Sequence, residues 1–403
     1  MDLATTVQAW IEPWAEEMAE LLAELVAMDT ENPPGRGLGR CGTRLRSVME
    51  ELGLEPEIIP VPPHEQLEEP CVVRGHVGNG SKLLYFHGHF DVVPAQSRAQ
   101  FLPERRNGRM YGRGTADMKG GLVSMLYGAA AARDLGLLDD GKIVFHLVCD
   151  EETGSDASSG YLRREGLIDP AAVAMVTAEP TAGAIWHASR GALTLRVEIK
   201  GREAHVGQAH LGDNAFAHMV AIAAPLNDLA RELLHKRTAF PMADEVAKGS
   251  MMVVGGASGS GANFNAVPGS AWFSIDRRFN PEEDVDEEIA RLTEVIDAAA
   301  AAAGASTSIE VLQRQPSGGT PEQHPLAQAL AASAAEVEGS APTFELCPGI
   351  LETRWYSQLG VPAFGYGPGR LDVSHGPGEY IDEAAMRRCA AVYALFAARA
   401  FTS

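Results

Sequence analysis

His87, His89 and Asp91 stand at alternate positions in Leu83-Leu-Tyr-Phe-His-Gly-His-Phe-Asp-Val-Val-Pro94. Side chains at i and i+2 of an extended chain point the same way. An imidazole and a carboxylate therefore leave this segment together, just before Pro94 stops it. That pairing suits a metal site in which an acid fixes the ring of a ligating histidine. Other segments offer the same chemistry. Ile143–Cys149 is apolar and ends in Asp150-Glu151-Glu152. Successive acids repel one another, and a nearby cation removes that penalty. Ala172–Ala178 delivers Glu179 ahead of Pro180. The glycine-rich Tyr111–Gly121 loop presents Asp117 and lacks the spacing of a phosphate loop. His375 lies in the Gly/Pro loop His375-Gly-Pro-Gly-Glu-Tyr380.

Together His89, Asp117, Glu152, Glu179 and His375 give two imidazoles, three carboxylates and no thiolate. Such a set suits a pair of zinc-like divalent ions with one carboxylate bridging them. Glu151 is left over beside Glu152, placed to take a proton from an activated water.

Elements must position these groups. Apolar runs at 83–88, 143–149 and 172–178 read as buried strands, and acids or imidazoles at their ends sit where open α/β sheets place ligands. Residues 5–28 read as one amphipathic helix. A second runs up to Gly53, another opens at Gly120-Gly121, and further helices fall near 324–337 and 382–401. This alternation predicts an α/β domain with both sheet faces covered. From about 190 the order is β-α-β-β-α-β: strands at 193–200, 251–254, 271–277 and 307–312, helices at 214–235 and 281–304. That is the ferredoxin-like arrangement, at a length that suits an insertion. Within it, Gly255–Gly261 reads as a flexible connection.

The 403-residue chain is long enough for two domains, and 45% hydrophobic with 22% charged residues is a soluble globular composition. No apolar run approaches the ~20 residues of a membrane span. No secretory signal is visible at the N-terminus, so a cytoplasmic location is expected. A net charge of −21 repels nucleic acid and anionic membranes, and no basic cluster would hold phosphates. This argues against a nuclease or phosphoesterase. Five cysteines without C-x-x-C spacing fit reduced thiols rather than a disulfide framework.

His-Gly-His-Phe-Asp-Val-Val-Pro, Gly-Arg-Gly-Thr-Ala-Asp-Met-Lys-Gly-Gly, Asp-Glu-Glu-Thr-Gly-Ser and Ala-Glu-Pro-Thr follow one another in order. In this the chain resembles the dinuclear zinc hydrolases that include acetylornithine deacetylase, succinyl-diaminopimelate desuccinylase, glutamate carboxypeptidase and aminoacylase. The resemblance implies a mixed-sheet α/β catalytic domain of the zinc-exopeptidase kind from residues 1–189 and 314–403. It also implies an inserted ferredoxin-like α+β lid and dimerisation domain at 190–313, and a homodimer. It implies two zinc ions, with cobalt an alternative: His89 and Glu179 on one, Glu152 and His375 on the other, Asp117 bridging. Asp91 would orient His89, and Glu151 would be the general base and acid. His205 would stabilise the oxyanion across the dimer interface, and Asn265 and Arg278 would bind substrate, Arg278 through a carboxylate. A cis peptide is implied at Asp117-Met118.

The implied reaction is hydrolysis of an N-acyl amino acid, in the manner of acetylornithine deacetylase, or of a dipeptide by an exopeptidase. Glu179, where aminopeptidase-like members have Asp, favours these branches. Where other branches carry Gly-Gly/Ser-Thr-Asp, this chain has Gly349-Ile-Leu-Glu-Thr-Arg354. Glu352 there could meet a cationic substrate or pair with Arg354.

Overall fold

The computed structural model describes residues 2–242 and 245–402. The chain divides into two compact units. One comprises Met1–His187, Gly319–Glu345 and Leu351–Ser403; the other comprises Ala188–Gly318 and Leu346–Ile350.

The first unit is built on a nine-stranded mixed sheet. At its centre Lys82–His89 lies between Gly141–Val148 and Ala174–Thr177, parallel to both. Ala363–Gly365 extends the parallel run on the far side of Ala174–Thr177. Cys71–Val77 and Glu57–Pro60 continue it antiparallel on the other side. Period-two alternation buries both faces. Leu84, Phe86, Ile143, Phe145, Ala174 and Val176 join the larger core. Tyr85, Val144, Met175 and Tyr356 form a separate core on the opposite face. Continuous apolar strands are what a sheet covered on both sides requires.

Helix Gly120–Asp134 runs through the larger core with a side chain buried on nearly every turn face, and Glu383–Thr402 packs against it. Its entry needs small residues. A Cβ on Gly121 would lie 2.4 Å from the Ala178 carbonyl oxygen, and one on Gly88 would lie 2.4 Å from Leu122 Cδ2. The first expected helix is two: Leu3–Ile11 and Ala15–Ala27, separated by a 3₁₀ turn at Glu12–Trp14. Pro13 cannot donate the backbone hydrogen bond a continuous helix needs.

The second unit has a four-stranded antiparallel sheet in the order Met251–Ser260, Ser270–Phe279, Gly191–Lys200, Ser306–Gln315. With helices Ala215–Leu233 and Val285–Ala303 this is the ferredoxin-like arrangement. Asn214 and Asp284 cap the two helices through side-chain oxygens that accept from backbone N–H groups. Leu193, Leu195, Val197 and Ile199 face Ile222, Leu226, Leu292 and Ile296 in one core. The expected flexible connection at Gly255–Gly261 is corrected. Through Ser260 this segment is strand, with an irregularity between Val254 and Ser258 that absorbs the glycines.

Candidate metal centre

Three neighbouring parallel strands end at one edge of the first unit's sheet. His89 pairs with Val148 across one ladder, and His87 pairs with Thr177 across the other. The residues that follow each strand therefore emerge side by side: Asp91, then Glu151 and Glu152, then Glu179. Asp117 comes from the turn Thr115–Lys119 that opens helix Gly120–Asp134, and its peptide bond to Met118 is cis. His375 lies on a loop beyond Ala363–Gly365 with a φ of 62°, left-handed and uncommon for a non-glycine residue.

The five residues form two groups of three that share Asp117: His89, Asp117 and Glu179, and Asp117, Glu152 and His375. His89 Nε2 lies 3.2 Å from Asp117 Oδ1 and 4.0 Å from Glu179 Oε1. His375 Nε2 lies 3.2 Å from Asp117 Oδ2 and 3.5 Å from Glu152 Oε1. Asp117 thus turns one oxygen to each histidine.

The residues fit a pair of divalent ions. Ligands of tetrahedral zinc at roughly 2.1 Å from the ion sit roughly 3.4 Å from one another, and the spacings above bracket that value. Glu179 Oε1 is buried without a hydrogen-bond partner, a costly state for a carboxylate unless a cation faces it.

The electrostatics point the same way. Burial, and then the Asp117 and Glu152 carboxylates, push Glu179 up to about 8. Burial also pushes Glu151 well above the usual carboxylate range, with Glu179 and Glu152 adding to it against His89. Against burial, hydrogen bonds from His375 and His89 hold Asp117 below its usual range. Hydrogen bonding to Asp117 and Glu152 raises His375 to about 10. Acids clustered this closely are mutually destabilising until positive charge enters.

Several buried groups fix this arrangement. His89 Nδ1 is 3.0 Å from the Asp91 carbonyl oxygen and 3.4 Å from its carboxylate. The Asp91 carboxylate mainly accepts from elsewhere: Asn32 Nδ2 at 2.9 Å, Glu151 N–H at 3.2 Å and Glu152 N–H at 3.1 Å. It ties the His89 strand to the acidic turn. Arg113 and Glu379, both buried, pair at 2.6 Å. Glu379 accepts from the Ala116 and Asp117 N–H groups, while Arg113 donates to the His375 carbonyl oxygen at 3.2 Å. Sequence reasoning missed Asn32, Arg113 and Glu379. The last two lie inside segments it had quoted, but nothing in a sequence pairs residues 266 positions apart.

A family model for peptidase family M20/M25/M40 matches residues 85–399. The chain belongs to this family. It is therefore an enzyme that acts on amide bonds. It is 27% identical over 263 residues to a probable succinyl-diaminopimelate desuccinylase of Staphylococcus aureus, a match spanning 60% of this chain and 64% of that protein. The metallo-carboxypeptidase Sso-CP2 of Sulfolobus solfataricus superposes with a TM-score of 0.74 at 19% identity, over 96% of this chain and 100% of that one. A dinuclear metal-binding M20 peptidase of Bacillus subtilis, YXEP, does so with a TM-score of 0.67 at 16% identity, over 96% and 98%. The two structural likenesses show the fold.

The remaining residues expected to serve the site, His205, Asn265 and Arg278, lie in the second unit. His205 and Asn265 are exposed and adjacent. His205 pairs with Ala266 in a short ladder, and Val206 N–H donates to the Asn265 carbonyl oxygen. His205 Nδ1 accepts from Gly207 N–H at 3.1 Å. The neutral ring then carries its proton on Nε2, as a donor must. Arg278 is half-buried, and its fork is engaged by Asp276 at 2.8 and 3.0 Å. Glu352 is fully buried and paired with Arg354 at 2.9 Å. Of the two roles open to Glu352 in the sequence, the pairing holds, and contact with a cationic substrate does not.

Proposed function

We propose that this enzyme is a two-zinc deacylase of N-acyl amino acids, releasing a carboxylate and a free amino acid. The observation that carries the reading is Asp117, shared between two three-residue groups with one carboxylate oxygen facing each histidine. His89 and Glu179 would hold one ion and Glu152 and His375 the other. Oxygen and imidazole donors without thiolate suit zinc, with cobalt able to replace it. Two ions held there polarise an amide oxygen and acidify water. Glu151 does the proton work. Standing next to Glu152 and raised by burial, it accepts a proton from the attacking water and returns it to the departing nitrogen. Asp91 holds the Glu151-Glu152 turn in place through two backbone N–H groups. His205, with Nε2–H as donor, would stabilise the oxyanion. Asn265 and Arg278 would bind the substrate, Arg278 through its carboxylate.

The name of the staphylococcal relative supports an acyl substrate ending in a carboxylate. Absence of any helix long and apolar enough to cross a membrane, among the described residues, is compatible with a cytoplasmic enzyme working on small polar amides. The test is hydrolysis of N-acetyl, N-succinyl and N-formyl amino acids beside simple dipeptides, with added zinc or cobalt, for the wild type and Glu151→Ala. Turnover of one acyl class, lost in the variant, supports the reading. Turnover of dipeptides alone makes the enzyme an exopeptidase built on the same centre.

A further inference from the structure

Behind the metal centre, on the sheet face that carries Tyr85, His87 and His89, lies a buried polar chain that the proposed reaction does not use. Glu352 is its hub. One carboxylate oxygen accepts from Ser155 Oγ at 2.5 Å and Arg354 Nη1 at 2.9 Å. The other accepts from His87 Nε2 at 2.9 Å and from Ser159 Oγ. Four donors converge on one carboxylate, so its acceptor capacity is filled and no neutral side chain replaces it. Arg354 also donates to the Gly154 carbonyl oxygen at 2.9 Å. Both Gly154 and Ser155 directly follow Glu151-Glu152-Thr153.

The chain runs on through two rings. His87 Nδ1 lies 3.0 Å from the Tyr356 hydroxyl. That hydroxyl lies 2.8 Å from His146 Nδ1. His146 Nε2 is buried without a partner. Glu352, Arg354, His87 and Tyr356 are all fully buried.

The geometry points to Glu352 and Arg354 as a positioning pair that locks the Glu151-Glu152 turn against the His89 strand. They touch no reacting atom. Ser155, Ser159 and Gly154 carry their effect to the turn, and His87 carries it to the strand two residues before His89.

Its catalytic readout rests on the two-metal reading; the test therefore begins without metal. Glu352→Gln and Arg354→Lys are compared with Val361→Ala, a cavity in the same core without polar contact to the turn. In the metal-free proteins, amide hydrogen exchange across residues 150–159 is expected to speed at least tenfold in Glu352→Gln, and less in Arg354→Lys, whose ammonium cannot hold both acceptors. With zinc and a chromogenic chelator, one of two equivalents is expected to weaken about 10–100-fold, and kcat to fall about as much with KM within about twofold. Val361→Ala should lower Tm and leave all three unchanged. Wild-type exchange and zinc affinity in Glu352→Gln would overturn the proposal. So would Val361→Ala reproducing its losses, or a rise in KM for cationic substrates alone with zinc binding intact. If Glu352→Gln does not fold, Ser155→Ala carries the comparison. If the wild type binds fewer than two zinc ions, the two-metal reading fails, and the exchange result alone decides the positioning role.

Discussion

At the scale of residues, Glu151 and Glu152 are neighbours in sequence with separate tasks. Glu152 faces His375 at 3.5 Å, while Glu151 belongs to neither three-residue group. Glu151→Ala should lower kcat by about 10²–10⁴-fold, the usual contribution of a general base, while zinc stoichiometry measured by elemental analysis stays at the wild-type value. Asp117→Asn should behave differently. It removes the charge that both groups share, so bound zinc itself should fall on dialysis. His205 has its Nδ1 committed to Gly207 N–H. His205→Ala should cost about 10²–10³ in kcat if its Nε2–H meets the oxyanion, with KM the control.

At the scale of elements, the close approach of helix Gly120–Asp134 to the strand carrying Glu179 is testable. Gly121→Ala puts a methyl against the Ala178 carbonyl oxygen, a backbone atom that cannot rotate away. A loss of about 1–3 kcal/mol in denaturant unfolding is expected, with weakened zinc uptake because Glu179 is the next residue. In the second unit, Arg277 lies on the core face of its strand and is buried with Glu283 at 2.6 Å and Glu288 at 2.9 Å. Burial opposes ionisation of Glu283, but hydrogen bonds from Lys236 and Ser250 and the Arg277 charge hold its carboxyl below the usual range. A depressed carboxylate stabilises the fold above its unfolded pKa, and that stability is lost as pH falls through the folded value. Unfolding midpoints of the wild type should therefore drop as pH falls below about 4.5. Glu283→Gln should be less stable at neutral pH by about 3 kcal/mol and show a flatter acid limb.

At the scale of the whole molecule, association through the second unit is the remaining expectation. Phe216 and Val220, one turn apart on helix Ala215–Leu233, are 46% and 52% exposed. Val253 is 57% exposed on Met251–Ser260, an edge strand whose unpaired backbone groups can extend a ladder. Light scattering should give twice the chain mass, and Val253→Lys with Phe216→Glu should give a monomer. That monomer should keep its zinc and lose turnover, because His205 is read as acting on the partner subunit's substrate. A fully active monomer would remove that role.

The sequence by itself determined the strands, their apolar continuity and the acids and imidazoles at their ends. These are local properties: alternation, turn residues and motif order are written within a few positions of one another. It also determined the ferredoxin-like order of the second unit, because helix and strand periods differ. It misread Pro13 and Gly255–Gly261, where backbone constraints outweighed composition. Only the tertiary structure decided which partner each buried charge has. Asp91 meeting Asn32 and the acidic turn, Arg113 meeting Glu379, and Glu352 meeting Arg354, His87 and Ser155 are pairings set by strand register and packing. A buried charge must find a partner, but the sequence does not say which one the fold will bring to it.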